Sequence, residues 1–519
     1  MKILLYQRDF TDLAVQPDVN LEVERYSRSV FGGPKQAIIQ ATGKAEELFE
    51  LVNQLRAPIE IINNTGDCVW NGYVHSVSIN TVIGTYNVRL DSMSNNIAVA
   101  YTDSDNLRHT TDWASDTGSK DEYGTKELLL SKADITDGDA TQTRNVYLEN
   151  SKYPTSTIMF GRGGLGTAVL NCYGWYKTLE WKYYKNLTGK EGYEDLGRGG
   201  REVGEDDRPK MAQSFEIEAD TAWDATSIWL RVWYQGSAAP PTDNLVVSLK
   251  SDNAGVPGAT LATCSLAPSN FGRSAEWVKF ELSTSITLSP STTYWIHVEK
   301  ANAITPTKYY MIDTNLDAGY TRGVLYLYNT NTSSWGKDIH RDWGDMLFVI
   351  KGDTSTTAQI TTLVTDVGQF IQGTIIEDAS GLDTNAYRDG DTSGLYEIER
   401  LLKSGTTNDR RLLCEVSRNR YLRVYEEDDE PAIVDSYALN GDGQLLTSAL
   451  TPIDPTLCTV GVWCHLHNVI PASVDFSLVS DPSLFFIDEA EYDVKNERYT
   501  ILATRNQEHL LDIGGIIQG

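Results

Sequence analysis

The glycines of "GRGGLG", Gly161, Gly163 and Gly166, have the spacing of a dinucleotide-binding fingerprint. That fingerprint works where a strand runs into a helix whose N-terminus holds the pyrophosphate. Here "TAVLNCYGWY" follows, which is β-like and aromatic, so a glycine-rich hairpin turn is expected. Cys458, Cys464, His465 and His467 are metal-ligating types close in sequence, yet "VGVWCHLHNVI" alternates like a strand and fits no zinc spacing. Asp252 and Asn253 in "SDNAGVPGA" could offer oxygens to calcium, but Gly and Pro already account for a loop between strands. The run Glu426, Glu427, Asp428, Asp429, Glu430 reads as a solvated hairpin end, with a subunit-facing patch as the alternative. No Gly-x-Ser-x-Gly elbow, His-Glu-x-x-His helix or lysine-bearing phosphate loop occurs. Triads assembled in space leave no local signature, but no feature supports catalysis. The expectation is therefore no catalytic residue, no metal and no cofactor.

Tryptophan is the more informative residue. Seven of the twelve lie between Met211 and Gly352: Trp223, Trp229, Trp233, Trp277, Trp295, Trp335 and Trp343. The strands there alternate cleanly, with Ile228, Leu230 and Val232 on one face, as are Val278, Phe280 and Leu282, and Tyr294, Ile296 and Val298. Trp229, Trp233, Trp277 and Trp295 fall on the opposite side, with Arg231, Lys279, His297 and Glu299. Tryptophans on a nominally solvated face need an explanation. They stack on sugar rings, or they are covered by loops, a neighbouring domain or another subunit. These four are the candidate glycan-binding or interface residues.

At 519 residues the chain is too long for one core, and about three or four domains are expected. Residues 1–113 read as a β-barrel or sandwich with one helix, carrying Leu48, Leu51, Val52 and Leu55 at helical spacing. Residues 114–210 form a second β-rich unit ending in a charged, glycine-containing linker. Residues 211–352 read as a β-sandwich. Residues 353–430 are α+β, with two helices and a hairpin. The first helix carries Ile360, Leu363, Val364, Val367 and Ile371, capped by Thr356 or Thr357. The second carries Leu395, Ile398, Leu401 and Leu402 and is closed by Gly405. Residues 431–519 are mostly extended. The fold class is mainly β with α+β parts, and whether the first two units form one domain stays open. No fixed-period repeat indicates a solenoid or propeller.

No apolar run reaches some 18 residues, so no membrane-spanning segment is expected, and "MKILLYQRDF" reads as a first strand and not a signal peptide. Six scattered cysteines fit reduced thiols made in a cytosol. A net charge of −28 and a pI of about 4.6 argue against a reader of nucleic acid. Such acidity serves solubility, and it also suits a channel along which DNA slides.

With these units in view, the first and last thirds resemble a tail hub (baseplate hub) protein of tailed bacteriophages and related prophages. The phrases that carry the resemblance are "FGGPKQAIIQATG", "LVNQLRAPIEII", "WNGYVHSV", "VRLDSMSNNIAVAYT", "SKDEYGTKE", "YGWYKTLEWKYY" and "YRDGDTSGLYEIERLLKSGTTNDRRLLCEVSRNRYLRVYEE". The middle third resembles a jelly-roll module of the carbohydrate-binding type, in "AQSFEI", "VSLKSDNAGVPGATLA", "WVKFELSTSITLSPSTTYWIHVEK" and "LFVIKG". The resemblance implies a jelly-roll inserted into a hub scaffold after "DRPK" and left near "KGDTST". It implies a virion protein, made in the host cytoplasm, that forms a ring, usually a homotrimer, at the distal end of the tail tube. Its partners would be distal tail, tail tube and tip fibre or needle proteins, with DNA passing through without specific binding. The sandwich would face outward, towards cell-surface glycan or another tail protein. A carbohydrate-active or glycan-binding surface protein is the competing expectation, and hydrolysis would need two acids about 5–9 Å apart across a groove. A bacterial surface adhesin is disfavoured by the missing export signal.

Overall fold

The structure is a computed structural model that describes residues 1–11, 13, 18–104, 108–161, 166–183, 189–194, 199–204, 209–218, 222–236, 241–301, 308–315, 319–337, 344–353, 355–377, 382, 392–407, 410–427, 437–439, 445–447, 451–465 and 484–504. The chain is mainly β with α+β parts. It divides into two units, one comprising Met1–Tyr184, Ile360–Leu382 and Gly390–Gly519, the other Lys185–Gln359 with Asp383–Asp389.

The first unit is built on a large sheet. Lys2–Leu5 pairs with Pro58–Ile62, and that strand with the long Cys68–Thr81. Thr167–Tyr173 comes next, then Phe31–Thr42, Asn20–Ser29 and Leu484–Asp493, all antiparallel. Leu484–Asp493, one of the last described strands, thus pairs with one of the earliest, which makes it part of the scaffold. Leu48 and Leu51, on the short helix Ala45–Glu50 and the 3-10 turn Leu51–Gln54, are buried with Leu55 against this sheet.

Two helices complete that core. Thr356–Val367 contributes Ile360, Leu363, Val364 and Val367, and Gly394–Lys403 contributes Ile398, Leu401 and Leu402. Burying each of these side chains is worth roughly 1.5–3 kcal/mol. A Cβ on Gly394 would lie 2.3 Å from Val367 Cγ2, so glycine is what lets the two helices approach. The first helix is capped by Ser355, whose Oγ accepts from the Ala358 N–H at 3.3 Å, and not by Thr356 or Thr357. The second starts on Ser393, whose Oγ accepts from the Tyr396 N–H, and stops at Gly405, with φ +77°.

Three local expectations are corrected. Within 114–210, read as a β-rich unit, the structure has a helix, Thr117–Tyr123, started by Asp116 accepting from the Ser119 N–H. Trp175–Trp181 is a 3-10 helix instead of a strand, with Trp175 and Trp181 packed on Tyr73 and Phe370. Gly161 and Gly166 join two strands, Thr155–Phe160 and Thr167–Tyr173, so no helix N-terminus follows the glycines. Those strands are not neighbours: Thr155–Phe160 pairs with Gly84–Arg89, and Thr167–Tyr173 with Cys68–Thr81 and Phe31–Thr42, so the two do not form a hairpin. Gly163 lies outside the described residues.

The second unit is two six-stranded sheets around one core. In the first sheet Trp223–Gly236 is central. It pairs with Glu276–Leu288 on one side, and on the other with Phe348–Gly352 over its first half and Lys308–Thr314 over its second. Lys190–Tyr193 and Gly199–Val203 extend those two strands. The second sheet runs Pro257–Leu266, Leu245–Asp252, Tyr294–Lys300, Lys210–Phe215, Leu325–Asn329, Ser334–Gly336. Where the sequence reading has a charged linker before Lys210, the structure has two strands of the sandwich. Its charge is partly internal: Glu191 is 3% exposed, accepting from Tyr320 Oη at 3.0 Å and from Arg322 Nη2 at 2.8 Å.

Candidate functional site

Strand alternation places the tryptophans. Ile228, Leu230 and Val232 face the sandwich core, which turns Trp229, Arg231 and Trp233 to the opposite face. In the neighbouring edge strand Trp277 stands directly opposite Arg231, and Lys279 opposite Trp229. Trp277 is thus diagonal to both other indoles, within reach of long side chains. Across the central strand Ile312 is opposite Val232, which sets Asp313 beside Arg231. Register therefore puts three tryptophans and Arg231 on one sheet face.

Each indole is held differently. The Trp233 ring lies over Gly200, where an added Cβ would come within 2.4 Å of Cη2. Lys351 Nζ sits 5.0 Å from the centre of the Trp229 ring, a cation–π contact. The Trp229 indole nitrogen is buried and has no hydrogen-bond partner among the described residues. Trp277 is 37% exposed and is the most open of the three. Arg231 Nη1 is 3.2 Å from Asp313 Oδ2. Burial pushes the Asp313 carboxyl up, against the pull of Arg231.

Trp295 does not join them. It belongs to the other sheet, is 1% exposed, donates its indole N–H to Asp252 Oδ1 at 2.8 Å and tilts against Tyr326. It is a packing residue. Asp252 Oδ2 accepts from the Gly255 N–H at 3.1 Å, so both oxygens of this carboxylate have protein donors. Asp252 closes a turn in which Ala254 and Gly255 have positive φ.

The other candidates are equally accounted for. Glu427 accepts two hydrogen bonds from Arg411, at 2.6 and 3.0 Å, and Glu426 pairs with Arg410. These two acids are enclosed ion pairs and not a solvated hairpin end, while Asp428, Asp429 and Glu430 lie outside the described residues. Cys458 and Cys464 are buried free thiols whose pKa burial pushes up to about 12. His467 and Trp343 lie outside the described residues.

Flat indoles suit the C–H face of a pyranose ring, while the cations of this face are already engaged, Arg231 with Asp313, Lys279 with Glu281 at 2.7 Å and Lys351 with the Trp229 ring. The partners that sequence reasoning missed, Asp313, Lys351 and Gly200, sit on strands brought in by pairing, and no local signal marks them.

No family model matches the chain, and no curated protein matches it. Similar solved structures include the functional form of the mosquito-larvicidal Cry4Aa toxin from Bacillus thuringiensis, at 10% identity and a TM-score of 0.17, covering 60% of this chain and 56% of that one. A Cry1Da tryptic core variant from Bacillus thuringiensis follows at 8% and 0.15, covering 58% and 51%. The infectious bursal disease virus VP2 subviral particle stands at 11% and 0.14, covering 65% and 81%. The chain thus spans a little over half the length of the two toxins. Likenesses this weak carry no argument about fold or function.

Proposed function

We propose that this chain is a structural virion protein of a phage tail tip, a hub that closes the distal tail tube and links it to the host-attachment apparatus. The observation that carries the reading is where the chain divides. It leaves the first unit at Tyr184 and re-enters it at Ile360. The phrases resembling a hub fall in the first unit, all but the opening residues of the last one, and the jelly-roll phrases fall in the second. A scaffold whose main interruption, Lys185–Gln359, is a sandwich with its own core supports a hub with an adhesion or decoration module. In this reading the hub is a homotrimeric ring and its acidity keeps passing DNA from sticking.

The sandwich as a glycan binder, on a surface protein of another kind, is the second reading, favoured by the open Trp277 beside Trp229 and Trp233. No described helix is long and apolar enough to cross a membrane. Antibody raised against the sandwich and applied to phage particles from the producing cell separates the two. Label at the tail tip supports the hub, and particles free of the protein contradict it.

A further inference from the structure

The most exposed apolar cluster among the described residues lies far in sequence from the tryptophans of the sandwich. Val82 and Ile83, at the tip between Cys68–Thr81 and Gly84–Arg89, are 69% and 61% exposed. Beside them runs Thr155–Phe160, in which Ile158, Met159 and Phe160 are 46%, 67% and 75% exposed. The register puts Phe160 opposite Gly84 and Ile158 opposite Tyr86, and the Gly161 N–H donates to the Ile83 carbonyl. One continuous patch results.

Thr155–Phe160 pairs only with Gly84–Arg89, so among the described residues its other edge presents unpaired backbone groups. It carries apolar side chains on both faces, since Met159 alternates with Ile158 and Phe160. A flat, uncharged, apolar edge is what proteins avoid unless something pairs with it. At about 150–250 Å² for a large aromatic and somewhat less for the aliphatics, the five side chains leave on the order of 600 Å² in water. A standard interface buries about 800 Å² on each partner.

Charge selects the occupant. Asp and Glu number 72 in 519 residues, yet none stands between Asp67 and Asp91 or between Glu149 and Glu180. The tip, the edge strand and the strands behind them come from those two acid-free segments. Elsewhere, copies of a chain with net charge −28 repel one another. Here they can meet. We infer that the Val82–Ile83 tip and the Thr155–Phe160 edge form the surface through which a second copy of this chain docks, by strand addition at the free edge. The same charge disfavours an anionic lipid surface as the occupant.

This inference rests on the hub reading for its ring but not for its surface, and the experiment separates them. Light scattering after size exclusion should give the full chain a mass of two or more copies. The pair Ile83→Asp and Phe160→Asp should reduce it to one copy with unchanged circular dichroism, since both side chains lie in water in the single chain. If the double variant misfolds, hydrogen exchange on the unaltered chain decides, because residues 155–161 should gain protection with rising concentration. A variant that stays oligomeric, or exchange independent of concentration, overturns the surface while leaving the hub reading standing. An unaltered chain that is monomeric overturns both. Co-flotation with phosphatidylcholine vesicles that is lost in the double variant would assign the patch to lipid instead and would equally overturn it.

Discussion

His297 should make the sandwich labile to mild acid. It lies on the outward side of Tyr294–Lys300, yet it is 1% exposed, with the Trp335 ring edge-on at 5.6 Å. Its Nδ1 is buried without a partner among the described residues. Burial, then Lys250, with Lys210 adding to both and Glu299 opposing them, holds its pKa down to about 4. The unfolded chain would titrate near 6.5. Between those values the unfolded state binds a proton that the native state refuses, so stability is lost as pH falls from about 6.5 to about 4. At 1.36 kcal/mol per unit, the loss is about 3 kcal/mol. For a unit of this size that is roughly 6–12 °C in Tm.

Scanning calorimetry of the full chain and of His297→Gln, from about pH 7 to about pH 4, isolates the effect. Carboxylates remote from His297 titrate in the same window in both proteins and cancel in the comparison, whereas Glu299, which feels the His297 charge, does not. The sandwich transition should fall less in the variant, by roughly 6–12 °C. Parallel curves would refute the reasoning, because His297 would then take up its proton as readily in the native state as in the unfolded one.

Four further substitutions test the packing and the platform. Gly200→Ala should drive the Trp233 ring off its seat, costing about 1–3 kcal/mol in denaturant unfolding and shifting indole emission; unchanged emission would contradict the contact. Gly394→Ala should cost a similar amount by separating the two helices, read as a lower midpoint of the first unit's unfolding. Trp295→Ala should cost about 3–5 kcal/mol, whereas Trp277→Ala should change stability by about 0.5 kcal/mol or less and abolish any glycan affinity measured by calorimetry. Equal stability losses for the two would contradict their assignment to interior and surface.

Much of the architecture is legible because the apolar periods are strong. Ile228, Leu230 and Val232 announce a strand with one buried face, and Ile398, Leu401 and Leu402 announce a helix. Tertiary context hides the rest. The strands Lys190–Tyr193 and Gly199–Val203 look like linker because Glu191 and its neighbours are charged, and it takes Arg322, Tyr320 and the Glu218 N–H, all later in the chain, to make a buried carboxylate tolerable. Trp295 and Trp277 share one pattern in sequence, but one sits on a central strand and the other on an edge. The exposed patch at Val82 and Phe160 reads as two ordinary strands until pairing brings them together.

The most direct test of the hub reading is negative-stain electron microscopy of the purified full-length chain, with class averages sorted by symmetry. The account predicts rings with a central opening, with three-fold symmetry. Compact single copies at micromolar concentration would contradict it.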